Sequence, residues 1–263
     1  MKNPYPYGLE RQYMREFLAY NRAIHAETVR RLNEQQLLRM DSWSDDLTML
    51  MTLLYEWAAS PSVYTRYIKS ADMYSLVSTF NDKQWRIQVK AGTGIALPPS
   101  GQIPLGMTPY GNISTPNEIR ARFGIGVDPY RGEPWLVPLR DNWVAENTRL
   151  IKTIPERYLG DVEGVIRRGV SQGLSSKDLA KQIQERFKVS ESRAKLIATD
   201  QIGKANSQLT EYRQKDLGVS AYTWMDSDDA RVRPTHAAMD GKKVEWAGPP
   251  AGAGGHAGQA IRC

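Results

Sequence analysis

The densest group of side chains able to do chemistry lies late in the chain. Asp226, Asp228, Asp229, Arg231, Arg233, His236 and Asp240 fall close together, and His256 and Cys263 follow in a glycine-rich stretch. Carboxylate, imidazole and thiolate are ligand types that zinc accepts. His236, His256 and Cys263 could supply three ligands and Asp229 or Asp240 a fourth, so a structural zinc holding down the tail is one reading, although the spacing matches no standard finger. The other reading has no metal. Asp226, Asp229, Arg231, His236 and Asp240 then form a structural polar network, with Asp229 and Arg231 paired to each other or to neighbours and His236 hydrogen-bonded across the turn.

A catalytic version of the cluster is a metal-dependent hydrolase or autoprocessing centre on Asp229, His236 and His256, in which Asp and His act as general base to a metal-activated water. The sequence has neither an HExxH pair nor a compact nucleophile–base signature. Cys263 is a poor nucleophile candidate, because a thiol needs a positioned base and a chain end is weakly held. The expectation is a protein that is not an enzyme, with no certain cofactor and structural zinc as the candidate.

Nucleic acid is the third chemistry to weigh. Residues 175–216 hold nine basic and six acidic side chains. Arg193, Lys195, Lys204, Arg213 and Lys215 are the DNA-contact candidates, on two helices that mimic a helix-turn-helix. A net of +3 is also what an ordinary solvated face carries. As a non-specific DNA-binding module the chain would touch phosphates of double-stranded DNA without reading bases, and its affinity would fall steeply with salt. Tyr222 and Trp224 share one face of a strand after a long amphipathic helix, which favours core packing over base stacking.

The elements that must position these groups can be read from spacing. Residues 9–40 lack breakers and repeat apolar positions at Tyr13, Phe17, Tyr20, Ile24 and Leu32, which predicts a helix. Ser44 is placed to cap a second helix through Trp57, and Ser60-Pro61 starts a third. Within residues 92–138 fall 8 of the 15 prolines and 8 glycines, too many breakers for regular structure. Ile95, Leu97, Ile103, Leu105, Met107, Tyr110 and Trp135 make that stretch more apolar than a solvated linker, so it reads as an arm lying along a surface.

Beyond the arm, Asn142 is placed to cap a helix that Pro155 kinks or splits. Ser175 to Asp178 resembles a capping box, with Leu179, Ile183 and Phe187 following at four-residue spacing. Ser190 opens the next helix, whose stripe is Ala194, Ile197, Ala198, Ile202, Ala205, Leu209 and Tyr212 and which Gly218 ends. Residues 219–225 and 242–246 alternate as strands, with Asp240-Gly241 as turn chemistry before the second. The predicted fold is α+β and predominantly helical. It divides into a helical N-terminal region over 1–91, an extended Pro/Gly-rich arm over 92–138, and an α+β domain over 139–263, of helices followed by a small β-sheet.

Composition bounds the partners. With 263 residues, 41% of them hydrophobic, the chain can bury a real core. Its 35 basic and 29 acidic residues give +6 and a pI near 9.3, which permits polyanionic neighbours without demanding them. The single cysteine excludes an internal disulfide framework and fits a reducing compartment. The apolar run 47–55 is far short of the roughly 20 residues a bilayer needs. No membrane partner is expected, and the chain reads as soluble and cytoplasmic.

One ordered set of motifs points further: Ala194-Lys-Leu-Ile-Ala-Thr-Asp200, Lys204-Ala-Asn206, Gly218 with Tyr222 and Trp224, Asp229-Ala-Arg-Val-Arg-Pro-Thr-His236, Asp240-Gly241, and the run from Gly255 to Cys263. From about Trp143 onward this resembles the phage Mu F-like family, and the resemblance covers nearly half the chain. Family members commonly carry a proline after the second histidine, where this chain has Ala257. They usually continue into Cys-Arg-Cys, whereas this chain stops at Cys263, so its ending reads as truncated, processed or trimmed. The resemblance implies a minor capsid protein of a tailed phage, acting early in head morphogenesis. It further implies a place in the virion head near the portal vertex, with the host cytoplasm as the site of assembly. The implied partners are the portal protein and/or the major capsid protein, with DNA contact and an effect on DNA ejection in some relatives.

Overall fold

The computed structural model describes residues 4–34, 43–94, 133–226 and 232–259. They form a predominantly helical α+β fold: α1 (Tyr7–Glu34), α2 (Trp43–Ala59), α3 (Pro61–Tyr67), α4 (Ser70–Thr93), α5 (Leu136–Ser171), α6 (Ser176–Asp216), β1 (Ala221–Thr223), α7 (Pro234–Ala237) and β2 (Lys243–Glu245). They pack as two compact units, each built from separated stretches of chain. One comprises 1–9, 71–143 and 200–263, and the other 10–70 and 144–199. The sequential division at 91 and 138 is therefore not how the described residues pack. Its arm is also shorter than predicted, because α4 runs to Thr93 and α5 begins at Leu136. Most of the arm, 95–132, lies outside the described residues.

In the unit of 10–70 and 144–199, α1 buries Tyr13, Phe17, Tyr20, Asn21, Ile24 and Thr28, the three-to-four spacing of one helix face. Complete burial of such a side chain stabilises by about 1.5–3 kcal/mol. The buried hydroxyls are satisfied. Tyr13 donates to Asn147 Oδ1 at 2.8 Å, and Tyr20 to the Ala58 carbonyl at 2.7 Å. Helix α2 contributes Leu47, Leu50, Met51, Leu54 and Ala58 to the buried set. Ser44 lies inside α2 and accepts from Arg167 Nη1 at 2.7 Å, a tertiary partner for the side chain read as a cap. Pro61 opens α3 as predicted, at a first-turn position where its missing N–H has no helical partner to lose.

Two predicted splits do not occur. Helix α5 runs through Pro155, and α6 is one helix of 41 residues that Ser190 does not interrupt. Ser190 is buried and donates to Asn21 Oδ1 at 2.6 Å. A helix-turn-helix over 175–216 is therefore absent. The predicted capping at Ser175 is present: its hydroxyl accepts from the Asp178 amide at 3.2 Å and donates to the Asp178 carboxylate at 2.6 Å.

The unit of 1–9, 71–143 and 200–263 holds the sheet. Trp143 donates its indole N–H to the Gln201 carbonyl at 3.0 Å, and its ring lies 5.4 Å from that of Tyr74. Strands β1 and β2 pair antiparallel, with Tyr222 opposite Val244. Backbone bonds extend the pairing at both ends, from Trp246 to Ser220 and from Trp224 to Lys242, so the predicted strands are there with a shorter regular core.

Candidate functional site

The β1–β2 hairpin, α7 and the chain through Gln259 place Asp226, His236, Asp240 and His256 beside one buried cluster. Trp224, Val244 and Ala253 form that cluster, with Tyr222, Met239 and Ala257 packed against it. Gly241, at φ 72°, allows the turn predicted at Asp240-Gly241, and its amide donates to the Trp224 carbonyl at 2.9 Å.

Both late histidines are buried, at 5% exposure for His236 and 6% for His256. His236 sits on α7, edge-on to Trp224, with Nε2 3.1 Å from the Ala253 carbonyl. That geometry makes Nε2 the donor. His256 lies against Tyr222 and Trp246, with Nδ1 3.3 Å from the Tyr222 hydroxyl. Burial holds its pKa below the ordinary 6.5, against the opposing pull of Glu211 and alongside Lys215. Both rings act as aromatic, hydrogen-bonding struts. Asp240 has a structural partner too, its Oδ1 accepting from the Asp226 amide at 3.0 Å. Asp229, Arg231 and Cys263 lie outside the described residues. Among the described residues no three of His, Cys, Asp and Glu converge as a metal site.

The glycine-rich tail is tied down by direct bonds to α6. The Ser207 hydroxyl donates to the Ala257 carbonyl at 2.5 Å, and Gln259 Nε2 donates to Glu211 Oε2 at 2.7 Å. Trp246 Nε1 donates to Gln214 Oε1 at 2.8 Å, and the Ala257 amide donates to the Tyr222 hydroxyl at 3.1 Å. Gly258 must be glycine here: φ is +79°, and a Cβ would stand 3.1 Å from that of Ser207. Sequence reasoning missed Ser207, Glu211 and Gln214. Their signal was available, because positions 207, 211 and 214 lie on one helix face.

The predicted DNA-contact residues have diverse surroundings. Arg213 is a correction. It is buried, and it donates to both Glu133 oxygens, to Asn81 Oδ1 at 2.6 Å and to the Ser78 carbonyl at 3.2 Å, which leaves it no face for a phosphate. Lys215 pairs with Glu211 at 2.5 Å, Lys204 is half-buried, and Lys195 is exposed. Arg193 is half-buried and lines a groove with Arg157. Tyr212, placed by its spacing on the apolar stripe, is 39% exposed.

Residues 160–263 match the family model described as Phage Mu protein F like protein. A relative from Haemophilus influenzae (strain ATCC 51907 / DSM 11121 / KW20 / Rd), described as an uncharacterized protein, is 36% identical over 155 residues, which are 59% of this chain and 34% of the relative. The chain thus spans about a third of the length of that curated relative. No solved structure matches the chain. The match takes in the last third of α5, all of α6, the hairpin, both late histidines and the tail. Residues 160–263 of this chain are thus similar to the phage Mu F-like family.

Proposed function

We propose that this chain is a minor capsid protein of a tailed phage, acting in head morphogenesis at the portal vertex. The observation that carries the reading is the family match over 160–263. The way the matched region is built supports it: buried histidines, aromatic rings and tail are bonded to one another and to α6 as struts, the construction of a part that holds a shape. In this reading the chain turns over no substrate. Its partners are the portal protein and/or the major capsid protein, and it works in the host cytoplasm during assembly and in the virion head afterwards. Contact with packaged double-stranded DNA, where made, is through phosphates and without sequence preference.

The test is sedimentation of head particles from cells making the full set of head proteins, with and without this chain. Co-sedimentation with heads, and loss of infectious particles when the chain is absent, are the expected results. Normal heads and full infectivity without it, with the chain left in the unassembled fraction, would sink the reading.

A further inference from the structure

In the unit of 10–70 and 144–199, α5 and α6 border a groove of about 610 Å³. Its walls include Glu156, Arg157 and Asp161 from α5, and Val189 and Arg193 from α6. Arg193 Nη2 donates to Thr153 Oγ1 at 3.0 Å, but its buried Nε has no hydrogen-bond partner among the described residues. Neither Arg193 nor Arg157 pairs with a carboxylate among the described residues. Burial, and then the positive charge of Arg157, push the Arg193 guanidinium below its ordinary pKa. Two cations in one groove that are not ion-paired favour an incoming anion, and an unpaired buried guanidinium N–H adds its own cost.

We propose that this groove is a docking site for a partner protein's carboxylate side chain carried on an apolar segment, the carboxylate seating on Arg157 and Arg193 and the apolar neighbour on Val189. The planar guanidinium fork matches the two oxygens of a carboxylate. Val189 supplies the apolar contact, since it is 58% exposed at the lip of the same groove. Glu156 and Asp161, both exposed, decide against a nucleic-acid strand. They present negative charge beside the arginines, which repels a continuous polyanion and leaves room for a single carboxylate. The inference stands on the groove alone and does not need the head-assembly reading.

The test follows the arginine side-chain Nε–Hε resonances of the full ¹⁵N-labelled chain, assigned with Arg157→Gln and Arg193→Gln. The probe is acetyl-Leu-Asp-Leu-amide, with acetyl-Leu-Asn-Leu-amide and a short DNA duplex as comparisons. The Asp peptide is expected to shift the Arg157 and Arg193 signals saturably. Its affinity should fall about tenfold or more in Arg157→Gln, the scale of one charge-assisted hydrogen bond, and should rise in the exposed-site variant Asp161→Asn. An Asn peptide that works as well, shifts that never saturate, weaker binding in Asp161→Asn, or a duplex that moves these two signals when the Asp peptide does not would each overturn the proposal.

Discussion

Arg213 and Glu133 form a two-pronged ion pair, Nε to Oε1 at 2.6 Å and Nη2 to Oε2 at 2.9 Å, in which the arginine is buried. The same guanidinium holds Asn81 and the Ser78 carbonyl of α4, so one side chain joins α4, α6 and the residues leading into α5. Removing one member of a buried pair leaves the other charge uncompensated, at about 3–5 kcal/mol. Arg213→Ala should therefore lower the unfolding free energy of the full chain by that scale, seen as a lower urea midpoint. A midpoint equal to the parent's would show that the pair contributes nothing net.

His25 and His256 make stability depend on pH. Burial lowers the pKa of both from the ordinary 6.5, with Gln184 and Glu191 opposing at His25 and Glu211 opposing at His256, where Lys215 adds to the lowering. The unfolded chain then takes up these protons first as pH falls, so the contribution is complete above about 6.5 and is lost as pH drops toward the folded values. His25→Phe and His256→Phe should each flatten the dependence of melting temperature on pH between about 7 and 5.5. A variant as steep as the parent would refute that residue's part in it.

Gly252 and Gly258 share a φ of +79°, but a Cβ at Gly252 meets nothing within 4 Å, while one at Gly258 stands 3.1 Å from Ser207. Gly252→Ala should incur only the left-handed backbone cost, about 1–2 kcal/mol. Gly258→Ala should cost more and should expose the 256–259 segment to protease. Equal costs would mean that Ser207 yields freely.

His236 and His256 have protein partners that account for their burial. Elemental analysis is therefore expected to find less than stoichiometric zinc, with a melting temperature indifferent to chelator. Stoichiometric zinc, lost in a His236→Ala/Cys263→Ser variant, would instead support the metal site and reopen the hydrolase reading.

Periodicity carried most of the helical fold, because apolar spacing at Tyr13, Phe17, Tyr20 and Ile24 reports a buried face directly. It failed where a polar residue occupies a core position. Ser190 reads as a cap, since serine at a helix start satisfies orphan amides, yet its partner is the side chain of Asn21 on another helix. Arg213 reads as a surface cation, although it lies four residues after the buried Leu209 on the same stripe. Local chemistry contains no trace of Glu133, 80 residues earlier in the chain. The aromatic roles of Tyr222 and Trp224 were legible because strand alternation puts them on one face, but the neighbours of His236 and His256 depend on where the tail returns.

The three attachments of the hairpin and tail to α6, at Ser207, Glu211 and Gln214, are spaced four and three residues apart along less than two and a half turns of helix. Such tethers share one fate. Unwinding the final turns of α6 would release Ala257, Gln259 and Trp246 together, so the hairpin, the tail and the end of the helix should open as a single cooperative unit, their amides exchanging with solvent at one common rate.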